Sequence, residues 1–323
     1  MSNFDLFSYD HYIVYFSGGK DSVACLLWLI DQGVDLAKVE LWHHDVDGKD
    51  GHFMDWPITH DYCKRFAEAF ELPIYYSWKV GGFKREMLRE NSKTAPSSFE
   101  TPDGEVITLG GNGGKASTRR KFPQVSADLS VRWCSAYLKV DVAAMAIRNQ
   151  ARFEGKRVLT ISGERAEEST ARSKYAIFEP DRADNRNGKK TVRTVDRLRP
   201  VHGWDTSQVW EIIKAWSVNP HPAYKLGWGR VSCLHCIFGS NNQCASQRII
   251  DPQGFNEIAL YEDDFGVTID RKLSITERAD LGTPYAMDEE QQRLAMAEAY
   301  TDDIFINEWT LPAGAFAESC GPI

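Results

Sequence analysis

Residues 11–30 read HYIVYFSGGKDSVACLLWLI. The stretch changes character twice. Residues 12–16, YIVYF, are aromatic, β-branched and short, the composition of a buried strand. Ser17-Gly18-Gly19-Lys20-Asp21-Ser22 then interrupts, and residues 22–32 resume as an apolar helix. Strand, glycine turn, helix is an anion-binding geometry. Glycines let the backbone approach a phosphate, and the new helix offers free N–H groups and the positive end of its dipole. Lys20 adds a point charge and the serines add donors. A plain turn needs only Gly-Gly and does not account for Lys-Asp between two serines. The spacing also differs from the Walker A loop.

VELWHH at 39–44 and PIYYSW at 73–78 read as further strands, with a helix over 58–70 entered through Pro57. A helix over 135–149 precedes the strand RVLTIS at 157–162. Strands alternating with helices predict an α/β fold, a parallel twisted sheet flanked by helices in the Rossmann-like manner. Residues 92–128 break the rhythm and read as a long loop. It holds the glycine run Gly110, Gly111, Gly113 and Gly114, and the basic group Lys115, Arg119, Arg120 and Lys121. Those cations either contact phosphates of a nucleotide or polynucleotide, or face solvent. Residues 181–199 read as a second, arginine-rich loop. TSQVWEIIKAW at 206–216 is an amphipathic helix capped by Asp205 or Thr206. The expected organisation is a nucleotide-binding α/β domain over 1–245, with a cysteine set at its end, and a mainly helical region over 246–323.

Apolar residues at 42% and charged residues at 26% suit a globular chain with a sizeable core. A net charge of −8 argues against gripping nucleic acid over the whole surface. No apolar run reaches the roughly 18 residues of a membrane span. The first residues, MSNFDLFSYD, lack the basic start of a signal peptide. The expectation is a cytoplasmic protein with no membrane partner.

In that setting seven cysteines do not read as a disulfide framework. SCLHCIFGSNNQC places Cys233, Cys236 and Cys244 close together. Two closely spaced cysteines can hold one metal centre from a single turn of chain. A third nearby, and Cys134 as the best-placed fourth, would complete a four-thiolate shell for zinc or an iron–sulfur cluster. Buried, unliganded cysteines are the alternative. Cys25 and Cys63 lie on apolar helix faces and read as core.

SGGKDS resembles the PP-loop of the ATP pyrophosphatase superfamily. GERAEESTAR at 163–172 follows the strand RVLTIS, so it lies at the carboxyl edge of a parallel sheet, where such folds bind ligands. It is similar to the G-x-R-x-x-E-S-x-x-R motif of the phosphoadenylyl-sulfate (PAPS) reductase branch at Gly163, Arg165, Glu168, Ser169 and Arg172. Both arginines suit bidentate contact to phosphate or sulfate oxygens. Asp45 and Asp47 in HHDVDG belong to the same edge. There a carboxylate can bond a ribose hydroxyl or help hold Mg²⁺, or simply form a solvated turn. Arg132, Cys134 and Lys139 match the branch again, as do Pro200, Trp204, Trp210, Pro222, Tyr224, Gly227, Arg230, Cys233 and Cys236. The resemblance covers about residues 10–245.

The resemblance implies ATP, cleaved between its α and β phosphates, or a sulfonucleotide in the same cleft. It assigns Ser17, Lys20 and Ser22 to the β and γ phosphates with Mg²⁺, and Arg165 to charge at the α-phosphate. Gly18, Gly19, Asp45, Gly163, Glu168, Ser169 and Arg172 complete the nucleotide site, and Asp21 joins Lys20 and Arg165 in the catalytic group. It favours a [4Fe–4S] cluster, with zinc as the alternative. Adenylyl-sulfate reductases carry a tandem Cys-Cys where this chain has Cys134-Ser135, so Cys244 would supply the missing ligand. PAPS reductases end in Glu-Cys-Gly-x-His, whereas this chain ends in AESCGPI, with Ser319 before Cys320 and no histidine. These departures tilt the reading toward ATP. The pattern also resembles the ATP pyrophosphatases of DNA phosphorothioation systems. That likeness implies adenylylation for sulfur transfer, a sulfur donor such as a cysteine desulfurase, and DNA reached through partner subunits. The alternatives are a thiol-dependent sulfonucleotide reductase and a non-catalytic nucleotide-binding subunit of a modification or defence complex.

Overall fold

The structure, a computed structural model, describes residues 4–49 and 51–318. One eight-stranded sheet runs in the order β5-β4-β3-β2-β1-β6-β8-β7. Its parallel centre consists of β1 (His11–Tyr15), β2 (Val39–Asp45), β3 (Ile74–Lys79), β6 (Arg157–Ile161) and β8 (Thr194–Leu198). Antiparallel strands close both edges. They are the hairpin β4 (Pro96–Glu100) with β5 (Val106–Gly110), and the short β7 (Phe178–Pro180) beside β8. The expected α/β class holds. Ile13 and Val14 at its middle are fully buried, as a strand covered by helices on both faces requires.

The chain builds β1, β2 and β3 toward one edge, then returns to lay β6 and β8 on the other side of β1. β1 and β6 are therefore neighbours across the point where the winding reverses. The crevice at their carboxyl ends is the place where open parallel sheets accept ligands.

Two expected loops contain strands. The β4–β5 hairpin lies inside residues 92–128, where its TPDG turn at 101–104 places Gly104 at φ 77°. That is a hairpin signal obscured by the glycine-rich run behind it. β8 lies inside residues 181–199 and escapes a hydrophobicity reading because it buries charge. Asp196 accepts from Tyr9 Oη at 2.9 Å and Arg186 Nη2 at 2.6 Å, and Arg197 Nη2 pairs with Asp181 Oδ2 at 2.6 Å. A buried charge with such partners is tolerated in a central strand.

The helices are α1 (Lys20–Asp31), α2 (Thr59–Ala69), α3 (Gly82–Met87), the single turn α4 (Trp133–Ser135), α5 (Asp141–Arg148), α6 (Thr206–Ala215) and the short α7 (Pro222–Lys225). A π-helical stretch, Ala136–Val140, joins α4 to α5. α6 starts at Asp205, whose side chain accepts from Gln208 N–H while Gln208 returns the bond. The helical region follows as α8 (Asn241–Ile250), α9 (Pro252–Phe265), α10 (Ile275–Asp280) and α11 (Glu289–Ala295). Residue 245 falls within α8. Phe255, Ile258 and Ile275 share an apolar cluster with Phe53, Met54 and Phe83, so these helices pack directly on the α/β part. Among the described residues, no helix is long and apolar enough to cross a membrane.

Candidate functional site

The loop after β1 and the segment after β6 meet at the crevice. Gly18 has φ 75°, and a Cβ there would lie 3.1 Å from both Cys63 Sγ and a Tyr62 ring carbon, so the turn admits only glycine without strain. Ser22 Oγ donates to Gly19 O at 2.8 Å and lies 3.4 Å from Ser17 Oγ. The two serines therefore fasten the turn to the first turn of α1. Gly163 is the point of closest approach from the other side: a Cβ there would be 2.8 Å from Asp21 O.

Arg165 is 3% exposed, and its fork joins the two motifs. Nε donates to Asp21 Oδ1 at 2.6 Å, Nη1 to Glu167 Oε2 at 2.9 Å and Trp204 O at 3.2 Å, and Nη2 to Thr206 Oγ1 at 3.3 Å. Glu168 accepts the Arg165 N–H at 2.9 Å, pairs with Arg172 Nη1, and lies 3.8 Å from Arg230 Nη1. Ser169 Oγ accepts from Arg172 N–H at 3.2 Å. Lys20 is buried. Its Nζ lies 3.7 Å from Asp21 Oδ2 and donates to Gly229 O at 2.9 Å. Burial pushes the Lys20 ammonium below its ordinary range, against the pull of Asp21. Asp21 is held below the ordinary carboxylate range: burial acts against this, but Lys20 and Arg165 outweigh it.

A cavity of about 90 Å³ opens beside this network. Cys134, Cys233 and Cys236 line it together with Arg132, Lys139, Arg172 and Arg230, and no residue of the 17–22 loop does. Burial raises the Cys134 thiol to about 11 and pushes Cys233 well above its ordinary range. Cys244 does not line the cavity and is buried in the apolar cluster around α9. Among the described residues, no three His, Cys, Asp or Glu side chains are grouped to hold a metal ion. The four cysteines expected as ligands thus do not form a closed shell as they stand. Cys25 and Cys63 are buried in the main core. Cys320 lies outside the described residues.

The acidic edge after β2 is engaged structurally. Asp45 Oδ1 accepts the Asp47 N–H at 3.0 Å, and its other oxygen lies 3.8 Å from His60 Nδ1. Asp47 Oδ2 accepts three backbone N–H groups, from Phe53, Met54 and Asp55, at 2.8 to 2.9 Å. Asp21 and Asp45 are each already bonded within the chain. Asp55 was not anticipated. Burial and then the charge of Asp47 raise it to about 7, with Lys139 opposing. Its only local signal is its position before the helix entry at Pro57.

The basic group at 115–121 does not act as one patch. Arg119 stacks over Trp133 with its guanidinium 4.3 Å from the ring centre and pairs with Glu86 Oε2 at 3.1 Å. Arg120 pairs with Asp264 at 2.6 Å, while Lys115 and Lys121 are exposed.

Residues 114–238 match the family model of the phosphoadenosine phosphosulfate reductase domain. An uncharacterized 37.8 kDa protein from Escherichia phage 186 is 25% identical over 264 residues, covering 77% of this chain and 74% of that protein. Among solved structures, the PAPS reductase of Candida auris in its phosphate complex is similar at 16% identity. It covers 70% of this chain and 82% of its own, with a TM-score of 0.39. The matched segment holds Arg165, Arg172 and the three cavity cysteines, and it is bonded to the SGGKDS loop through Asp21. Over residues 114–238 the chain is thus similar to the phosphoadenosine phosphosulfate reductase domain.

Proposed function

We propose that the chain binds an adenine nucleotide across the β1–β6 crevice and acts at its α-phosphate in sulfur-linked chemistry. The leading form is an ATP pyrophosphatase that activates an acceptor by adenylylation. An acceptor oxygen attacks the α-phosphorus, the bond from that phosphorus to the bridging oxygen breaks, and the electron pair leaves with pyrophosphate. The chain's part is positioning and charge stabilisation, which needs no protein nucleophile. Lys20 and the loop N–H groups take the leaving phosphates, and Arg165 and Arg172 stand at the α end. The observation that carries this reading is the Arg165–Asp21 bond, which holds the arginine-bearing motif against the phosphate loop. Sulfur transfer to a DNA backbone would require a sulfur donor and DNA-binding partners.

A second reading, sulfonucleotide reduction, is favoured by one specific observation: thiols and cations share a single cavity beside the loop. A product assay with ATP and PAPS side by side decides between them. Pyrophosphate release from ATP that survives Cys320→Ser but falls about 100-fold or more in Lys20→Ala supports the first. Sulfite release from PAPS that Cys320→Ser abolishes supports the second. Binding with no turnover of either nucleotide rejects both.

A further inference from the structure

The phosphate loop is closed by the protein's own backbone. Lys20 Nζ donates to Gly229 O at 2.9 Å and lies 5.5 Å from the Tyr224 ring centre, while the Lys20 N–H donates to Tyr224 Oη at 2.8 Å. The same hydroxyl receives the Val231 N–H at 3.3 Å, and the Gly19 N–H turns inward to Ser17 Oγ at 3.5 Å. Donors that would hold a polyphosphate are thus taken from within the chain, and the adjoining cavity stops short of the loop.

Residues 312–318 hold that covering segment down. The Gly314 N–H donates to Tyr224 O at 2.7 Å, and Trp210 Nε1 donates to Ala315 O at 3.0 Å. The two backbones meet through glycines on both sides. A Cβ on Gly314 would lie 2.2 Å from Trp228 O, and one on Gly229 would lie 2.4 Å from Ala317 O. Backbone against backbone cannot make room by rotating a side chain.

We propose that residues 312–318 form a latch that keeps residues 224–231 over the phosphate loop, so that a polyphosphate enters only when the latch shifts. This rests on reading 17–22 as a phosphate site. The buried ammonium has a carbonyl at 2.9 Å and the Asp21 carboxylate only at 3.7 Å, and phosphate oxygens would offer it charged acceptors at hydrogen-bond distance. A ligand that binds only the open state has its affinity reduced by the fraction open, and loosening the latch restores it.

The test uses full-length Gly314→Ala and Gly229→Ala, with Gly203→Ala as the control because a Cβ there meets nothing within 4 Å. Calorimetry with pyrophosphate and with ATP is expected to show about tenfold tighter binding in the two wedge variants than in wild type or control. Without ligand, the Lys20 and Val231 amides are expected to exchange hydrogen faster in both. Should the wedge variants fail to fold, Tyr224→Phe, which removes the shared acceptor, is expected to move both readouts the same way. Unchanged exchange with unchanged affinity overturns the latch. Faster exchange with no binding of either ligand by any of these proteins overturns the phosphate-site reading, and the gate falls with it.

Discussion

Arg165 Nε donates to Asp21 Oδ1 at 2.6 Å, joining two motifs 144 residues apart in the chain. The pair is buried on the arginine side, so removing the carboxylate strands a guanidinium. Asp21→Asn is expected to cost about 3–5 kcal/mol at neutral pH, measured by urea unfolding. Because the Asp21 carboxyl is held below its ordinary value, its stabilisation is complete above about pH 3.9 and lost as pH falls through the folded-state value. The gap between the two proteins should therefore narrow below about pH 4. A gap that stays constant to pH 2 removes the charge from the account.

Asp55 behaves in the opposite sense. Its carboxyl is raised to about 7 by burial and by Asp47. The protonated form's stabilisation is full below about pH 3.9 and is lost as pH rises through about 7. Thermal melts of wild type and Asp55→Asn across this window should show wild type losing ground steadily as pH rises. Parallel curves would mean that Asp55 titrates normally.

Glu86 is fully buried and organises the segment that carries the hairpin. It accepts from Thr94 Oγ1 at 2.8 Å, Ala95 N–H at 2.7 Å and Arg119 Nη1 at 3.1 Å. Glu86→Gln should destabilise the protein by about 3–5 kcal/mol. Limited proteolysis should then cut first within 92–119; cleavage elsewhere, with 92–119 intact, would show that this segment is held by other contacts.

Cys244 is buried in the apolar cluster and does not line the cavity that Cys134, Cys233 and Cys236 share. Cys244→Ala should cost about 1 kcal/mol through lost packing. It should leave the iron and zinc content of the purified protein as in wild type, measured by elemental analysis. A metal content that falls with Cys244→Ala would place this side chain in a ligand shell after all.

The central strands were legible because their signal is local. YIVYF and RVLTIS are apolar runs bounded by turn residues, and the structure places β1 and β6 there. The hairpin was legible in principle from TPDG but was masked by the glycines after it. β8 was not legible, because TVDRL becomes a buried strand only through Tyr9, Asp181 and Arg186, which satisfy its charges from elsewhere in the fold.

The same division runs through the site. The SGGKDS turn and the G-x-R-x-x-E-S-x-x-R segment are local chemistry: glycine conformations, a helix start and a fork of donors are written in adjacent residues. Adjacent residues alone specify a glycine turn between a strand and a helix, and an arginine-bearing segment after a second strand. The fold is what gives Arg165 Nε to Asp21, answers Lys20 with Gly229 O, and leaves Cys244 off the lining of the cavity that the other three cysteines share. These are contacts between segments far apart in the chain. Their geometry follows from strand order and packing, which no short window of sequence contains.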